Sequence, residues 1–340
     1  EYKRGPIHYP VMSVDEPFYL MHNPSVAAAG KNARQHFETS GYKELRNPCA
    51  DFDIWWYTQT YLLGTPDCDT NALVHYNETG ADLGYRTRPP LPVTFHAGYS
   101  RKLPDNARRI CLFAAYDVDG IIDDYVLAYL RDLAQYGDIY YLADCAIDAA
   151  EMSKLDGLVK GAWAMRHGMY DFGSYSILAR DLVGWDVIEA YDELILANDS
   201  CYLVHPLEDT FTKMAVRPCA WWGLQATKGL ISTKHQNRIA ADAPVSITDI
   251  KETYLDLFEA DPLYDFHIGS YFMAFRKDVI IDPDFQKVLN TVAKEASKLN
   301  VIRKYEIGLT RFLIGKGYTF DTLVETVSKQ HPMFTERAFD

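Results

Sequence analysis

From Arg108 onward, apolar and polar positions follow one another in an alternating strand and helix rhythm. Ile110 to Ala115 is a short continuous apolar run, the pattern of a strand buried on both faces. It ends in the polar turn Tyr116-Asp117-Val118-Asp119-Gly120. Ile121, Ile122, Tyr125, Val126, Tyr129, Leu130 and Leu133 then recur at the spacing of one helical face. Asp123 and Asp124 fall in the first turn, where the helix dipole favours carboxylates. Gly137 closes the helix and Ile139 to Ala143 makes a second strand. This strand–helix–strand unit predicts a parallel pair with a right-handed crossover and places a ligand at the carboxyl ends, where Tyr116 to Gly120 and Asp144 sit.

A second such passage runs from Arg166 to Ser200. The turn-like segment Gly168 to Ser174 leads into a helix, expected to start near Ser174, with Tyr175, Ile177, Leu178 and Leu182 on its apolar face. The strand Leu194 to Ala197 follows and ends in Asn198-Asp199-Ser200. Polar groups at a strand's carboxyl end beside a helix N-terminus suit a diphosphate or a metal-diphosphate, although loop polarity alone explains most such triplets. Later come Trp221-Trp222-Gly223-Leu224, a polar stretch from Lys228 to Asp249, and strand character from His267 to Arg276. A helix expected to end near Leu299 precedes a further one through Ile307, Leu309, Phe312 and Leu313, which Glu306 would open.

The first hundred residues hold an imperfect repeat. Phe18-Tyr19-Leu20, His36-Phe37, Gly41 and Arg46-Asn47-Pro48 align with Trp56-Tyr57, His75-Tyr76, Gly80 and Arg86 to Pro89. Such a period signals a repeated supersecondary unit, here of short helices that bury their aromatics against each other, with His36 and His75 packed inside their units. Arg88-Pro89-Pro90-Leu91-Pro92 cannot continue a helix. It sets a boundary between a helical module with its connector, residues 1–107, and an α/β domain, residues 108–340.

Composition narrows the function. With 34 Lys plus Arg against 47 Asp plus Glu, the net charge of -13 argues against a protein held by phosphate backbones or anionic headgroups. A hydrophobic share of 48% excludes disorder. The six cysteines show neither a C-x-x-C pair nor zinc-site spacing and read as reduced thiols of a cytoplasmic protein. No apolar run approaches the ~20 residues of a membrane helix. The start, Glu1-Tyr2-Lys3-Arg4, is neither an initiator Met nor a signal peptide, which fits a segment of a longer protein.

Six stretches, in order, resemble the rhamnan synthesis protein F family of bacterial polysaccharide glycosyltransferases. They are Arg109 to Tyr129, Tyr170-Asp171-Phe172-Gly173, Tyr191 to Ser200, Trp222-Gly223-Leu224, Ser270-Tyr271-Phe272, and Tyr305 to Thr310. The chain carries Arg166-His167-Gly168-Met169 where the family commonly shows Arg-Glu-Asn. The N-terminal repeat resembles a tandem module found beside bacterial glycosyltransferase domains.

The resemblance implies a GT-A-like, Rossmann-type, mostly parallel sheet with flanking helices. It also implies inverting transfer of a sugar, L-rhamnose from dTDP-rhamnose, onto a cell-surface polysaccharide such as O-antigen or capsule. UDP-galactose as donor and a non-catalytic carbohydrate-binding scaffold are the alternatives. The implied general base is Glu306. Donor-binding residues are Tyr116, Asp117, Arg166, Tyr170, Asp171, Asn198, Asp199 and Ser200, and acceptor-binding residues are Trp222, His267 and Tyr271. Many GT-A enzymes hold Mg²⁺ or Mn²⁺ on Asp-x-Asp, but here only the middle position, Asp199, is a carboxylate. Hard cations favour several anionic oxygens, so no metal cofactor is expected to be required, and Asp199 would hold one if it binds. The leaving-group charge then falls to Arg166, N–H groups near Gly168 or Gly173, and hydroxyls. Expected partners are a nucleotide-sugar donor, a lipid-linked or oligosaccharide acceptor and other glycosyltransferase domains, at the inner face of the membrane.

Overall fold

In the computed structural model, which describes residues 11–88, 103–227, 245–246, 266–295 and 298–327, the apolar run at Ile110 forms the central strand β1 (Arg109–Ala115). Its side chains alternate between two cores: Ile110, Leu112 and Ala114 face one, and Cys111, Phe113 and Ala115 face the other. A sheet covered on both sides needs apolar residues at every position of its central strands. The other strands are β2 (Asp138–Ala143), β3 (Gly161–Ala164), β4 (Glu193–Asn198), β5 (Trp221–Gly223), β6 (Phe272–Arg276) and β7 (Phe320–Thr322). Their spatial order is β7-β5-β6-β4-β1-β2-β3. Neighbours are parallel except at β6, which runs antiparallel between β4 and β5. This is the mostly parallel α/β sheet that the resemblance implied.

Helix α1 (Asp124–Leu133) buries Val126, Leu127, Tyr129, Leu130 and Leu133. It begins after Ile121 and Ile122, because the N–H of Ile121 is taken by Asp117 Oδ1 and that of Ile122 by Glu151 Oε2. Helix α2 (Tyr170–Ile177) runs on into a π-helical turn, Leu178–Leu182. It starts four residues before the expected Ser174, since the chain has already reversed at Gly168 and Tyr170, with φ of 68° and 58°. Asp171 therefore lies inside the first turn and is not a cap.

Helix α3 (Pro283–Asn290) stops well short of Leu299. The Ala293 N–H instead bonds the Tyr305 hydroxyl at 3.0 Å. Lys298–Val301, a π-helical turn Ile302–Ile307 and α4 (Gly308–Gly315) then follow without a break. Glu306 thus sits within this helical run rather than at its start. Of the polar stretch expected from Lys228 to Asp249, only Val245–Ser246 is described, pairing antiparallel with Thr326–Val327.

Residues 11–88 are short helices, and both halves of the repeat use one device. Tyr19 Oη bonds His36 Nδ1 at 2.9 Å, and Tyr57 Oη bonds His75 Nδ1 at 2.8 Å. A Cβ at Gly41 would overlap the Tyr19 hydroxyl, and one at Gly80 the Tyr57 hydroxyl. Each glycine makes room for the hydroxyl that its histidine holds, so both histidines pack within their units. The aromatics of the two halves share one core with the sheet. Trp55 anchors that contact: its Nε1 donates to Lys304 O at 2.7 Å, and a Cβ on Gly308 would overlap its indole. The proline-rich connector lies outside the described residues from Pro89 onward.

Gly80→Ala should lower folding stability by about 1–3 kcal/mol, the range for overpacking a filled core, because Tyr57 is buried and bonded and cannot yield. Gly315→Ala, whose Cβ would meet nothing within 4 Å, should be neutral or stabilise by up to about 1 kcal/mol. Denaturant titration of both variants checks the pair, and equal effects would remove the steric account of the repeat.

Candidate functional site

The carboxyl ends of β1, β2 and β4 fall on one edge because the pairing places Ala114 beside Asn198 and Ala115 beside Ala143. Strand ends leave main-chain N–H groups without ladder partners, and here carboxylates accept them. Asp199 Oδ2 takes the Tyr116 N–H at 2.8 Å. Asp117 Oδ1 takes those of Asp119 and Ile121, both at 2.9 Å. Asp144 takes His167 N at 2.7 Å and Gly168 N at 2.8 Å. Gly120, at φ 74°, lets this turn close against the Ala146 carbonyl, which a Cβ would overlap.

Asn198 is a strut rather than an open ligand. It is 2% exposed, its Nδ2 donates to Asp171 Oδ2 at 2.7 Å, and its Oδ1 accepts the Ser200 N–H at 3.1 Å. Ser200 itself is exposed. Burial raises the carboxyl of Asp171, the Asn198 hydrogen bond opposes this, and the charge of Glu306 raises it further. Burial likewise pushes Asp199 up to about 7, against the Tyr116 N–H and with help from the charges of Asp171 and Asp117. Tyr116 and Tyr170, 61% and 43% exposed, present open rings on the rim.

Glu306 stands in the same field. Its Oε1 accepts the Ser270 N–H at 3.0 Å and lies 3.7 Å from His267 Nε2. The side chain is 18% exposed, enough to be reached from solvent. Tyr271 is close by: burial, then the neighbouring Cys201 and Glu306, pushes its hydroxyl up to about 12. The structure thus gathers Glu306, His267 and Tyr271 with Asp171, and Asp171 with Asn198 and Asp199. Trp222 stands apart. It is 1% exposed, packs on Phe211 and Phe272, and donates to Glu193 at the amino end of β4. Its apolar neighbours explain the ring, which offers no surface to an acceptor.

The N–H groups expected to meet the leaving group are occupied, Gly168 N by Asp144 and Gly173 N by Met169 O. Arg166 is exposed and makes no hydrogen bond or ion pair among the described residues. The role of His167 was not legible in the sequence. Its Nδ1 accepts the Met169 N–H at 3.1 Å, so Nε2 carries the proton and faces Ser174 Oγ at 3.0 Å. Burial lowers its basicity, partly offset by Asp144. Gly173 is needed because a Cβ there would press on this ring. The departure from Arg-Glu-Asn is the only hint the sequence carried.

The donor set does not fit a protein-built divalent site. Both polar atoms of Asn198 and one oxygen each of Asp199 and Asp117 are already engaged. Among the described residues no three His, Cys, Asp or Glu side chains group to hold a metal ion. None of the six cysteines forms a disulfide among the described residues, and no helix among them is long and apolar enough to cross a membrane.

A mostly parallel sheet with its polar strand ends gathered at one edge is a Rossmann-type α/β architecture, in which ligands bind at the carboxyl ends of the strands. The family model described as rhamnan synthesis protein F matches residues 139–339, and the chain belongs to that family. No curated protein matches the chain. Among solved structures, the mannosyltransferase Ktr4p from S. cerevisiae is similar at 6% identity, over 68% of this chain and 71% of that one, with a TM-score of 0.34. The same enzyme in complex with GDP gives 6% identity, 69% and 72% coverage and a TM-score of 0.35. Core-mannan synthase A from Aspergillus fumigatus in its Mn/GDP form gives 10% identity, 69% and 79% coverage and a TM-score of 0.30.

The raised carboxyl of Asp199 has a pH signature. An unfolded aspartate titrates near ~3.9, so the folded chain keeps a proton that the unfolded chain releases. The stability gained from that proton is complete below about pH 4 and lost as pH rises through 7. Asp199→Asn removes the loss. Its unfolding free energy relative to the parent, from denaturant titration, should climb between pH 4 and 7, by at most about 1.4 kcal/mol per pH unit, and level off above. A difference constant across that range would contradict the assignment.

Proposed function

We propose that the chain is an inverting glycosyltransferase, transferring L-rhamnose from dTDP-rhamnose onto a growing bacterial cell-surface polysaccharide such as O-antigen or capsule. The observation that carries the chemistry is Glu306, partly exposed and fixed by the Ser270 N–H beside Asp171. The family description carries the sugar.

In the reaction the acceptor hydroxyl oxygen attacks the anomeric carbon from the face opposite the diphosphate. The carbon–oxygen bond to the β-phosphate breaks, its electron pair stays on the phosphate oxygen, and the hydroxyl proton passes to Glu306. With Oε1 engaged by Ser270, Oε2 is the oxygen left to receive it. His267 and Tyr271 orient the acceptor, while Tyr116, Asp117, Arg166, Tyr170, Asp171, Asp199 and Ser200 line the donor side, with Asn198 holding Asp171 and β4 together. The acceptor is lipid-linked or an oligosaccharide, reached at the cytoplasmic face of the membrane. Residues 1–107 form a unit that seats a partner or acceptor against the catalytic domain of residues 108–340.

Glu306→Gln keeps shape and the Ser270 hydrogen bond but removes the base. Turnover should fall by about two to four orders of magnitude, with melting temperature and donor affinity unchanged. Near-normal turnover would refute the role, and a product retaining the donor's anomeric configuration would refute single displacement.

Transfer is also expected to survive EDTA, since Asp199 is flanked by Asn198 and Ser200 rather than by further carboxylates. Complete loss on chelation, restored by Mg²⁺ or Mn²⁺, would overturn the metal-independent reading.

A further inference from the structure

The site edge is built of carboxylates: Asp117, Asp144, Asp171, Asp199 and Glu306 all sit there, in a chain of net charge -13. A nucleoside diphosphate would meet repulsion on such a surface unless cations are supplied. The Gly168 and Gly173 N–H groups are occupied, and among the described residues no three His, Cys, Asp or Glu side chains group to hold a metal ion, so the cations the protein itself can supply are side chains.

Several basic groups on the helices of this face of the sheet are paired internally. Lys304 pairs with Glu295 at 2.8 Å, Lys316 with Asp284 at 2.6 Å, Arg180 with Asp181 at 2.6 Å, and Lys287 bonds Thr60 O at 2.5 Å. Lys294 and Lys298 differ: both are exposed, and neither ammonium makes a hydrogen bond or ion pair among the described residues. Lys294 leans over the turn before α2, its Nζ 3.3 Å from where a Cβ of Gly168 would stand. Lys298 opens the short helix Lys298–Val301, which packs against α2, and its positive charge reaches Asp171. Arg166, two residues before Gly168, is the third uncommitted cation.

We propose that Lys294 and Lys298, with Arg166, form a cationic subsite for the diphosphate of the donor, taking the place a divalent ion holds in metal-dependent transferases. The inference rests on the donor reading above and adds residues to it. As the anomeric carbon–oxygen bond breaks, the negative charge left on the β-phosphate oxygen is met by these ammonium groups, which can reach it on flexible stems. Their freedom from internal partners follows from that duty, since a lysine held by Asp or Glu would have to break that pair at each turnover.

Calorimetric titration of the parent protein, Lys294→Gln, Lys298→Gln and the double variant with dTDP and dTMP tests the subsite. Each single variant should weaken dTDP about tenfold, as expected for losing one charge-assisted contact, while dTMP shifts less than about threefold, because the lysines are assigned to the β-phosphate. The double variant should bring the two affinities together, and arginine at either position, keeping the charge, should restore most of the preference. Melting temperatures should not move, as neither ammonium makes a hydrogen bond or ion pair among the described residues. Undiminished dTDP affinity in the double variant would overturn the subsite and leave the donor reading standing. If the parent protein binds none of dTDP, UDP and GDP, the donor reading fails and this inference with it; if UDP or GDP binds instead, the same comparison is made with that diphosphate and its monophosphate.

Discussion

A strand end must satisfy its last N–H groups, and in this protein carboxylates accept them. Asp199 holds the loop after β1, Asp144 the turn before α2, Asp117 the approach to α1, and Glu306 the chain entering β6. The four ties converge from different parts of the sequence on one sheet edge. Each acid accepts through one oxygen at least, which orients the group without a metal. The loops around the edge take their shape from these bonds.

That construction concentrates negative charge. Burial and mutual repulsion raise Asp171 and Asp199, while Asn198 and the Tyr116 N–H draw them back. A site so made repels a diphosphate until cations are present, and it favours a group that can accept a proton. Glu306 sits with His267 and Tyr271, Lys294 borders the turn at Gly168, and the charges of Glu306 and Lys298 both act on Asp171, in opposite directions.

Much of this frame could be read from local patterns. The run at Ile110, the helical face through Val126 and Leu133, and the strand ending at Asn198 are set by apolar spacing within a few residues, and each lies where the sequence placed it. Features decided by distant contacts were not legible. Trp222 reads as an aromatic platform but is enclosed by Phe211, Phe272 and Glu193, which come from three other elements. The break between α3 and Lys298 depends on Tyr305 reaching back to Ala293, and the early start of α2 on backbone angles at Gly168 and Tyr170. The free ammonium groups of Lys294 and Lys298 could not be told from other lysines without seeing which of those were already paired.

The contact of Trp55 with Lys304 and Gly308 brackets Glu306 in the chain, two residues to either side. An indole from the N-terminal helices therefore fits a notch only a residue without a side chain can leave, and it takes up a carbonyl within the π-helical turn that carries the acid. The two halves of the molecule are thereby constrained to change together. A lineage that exchanged the helical module for another would inherit a bare groove beside Glu306, and one that filled Gly308 would first have to lose the tryptophan.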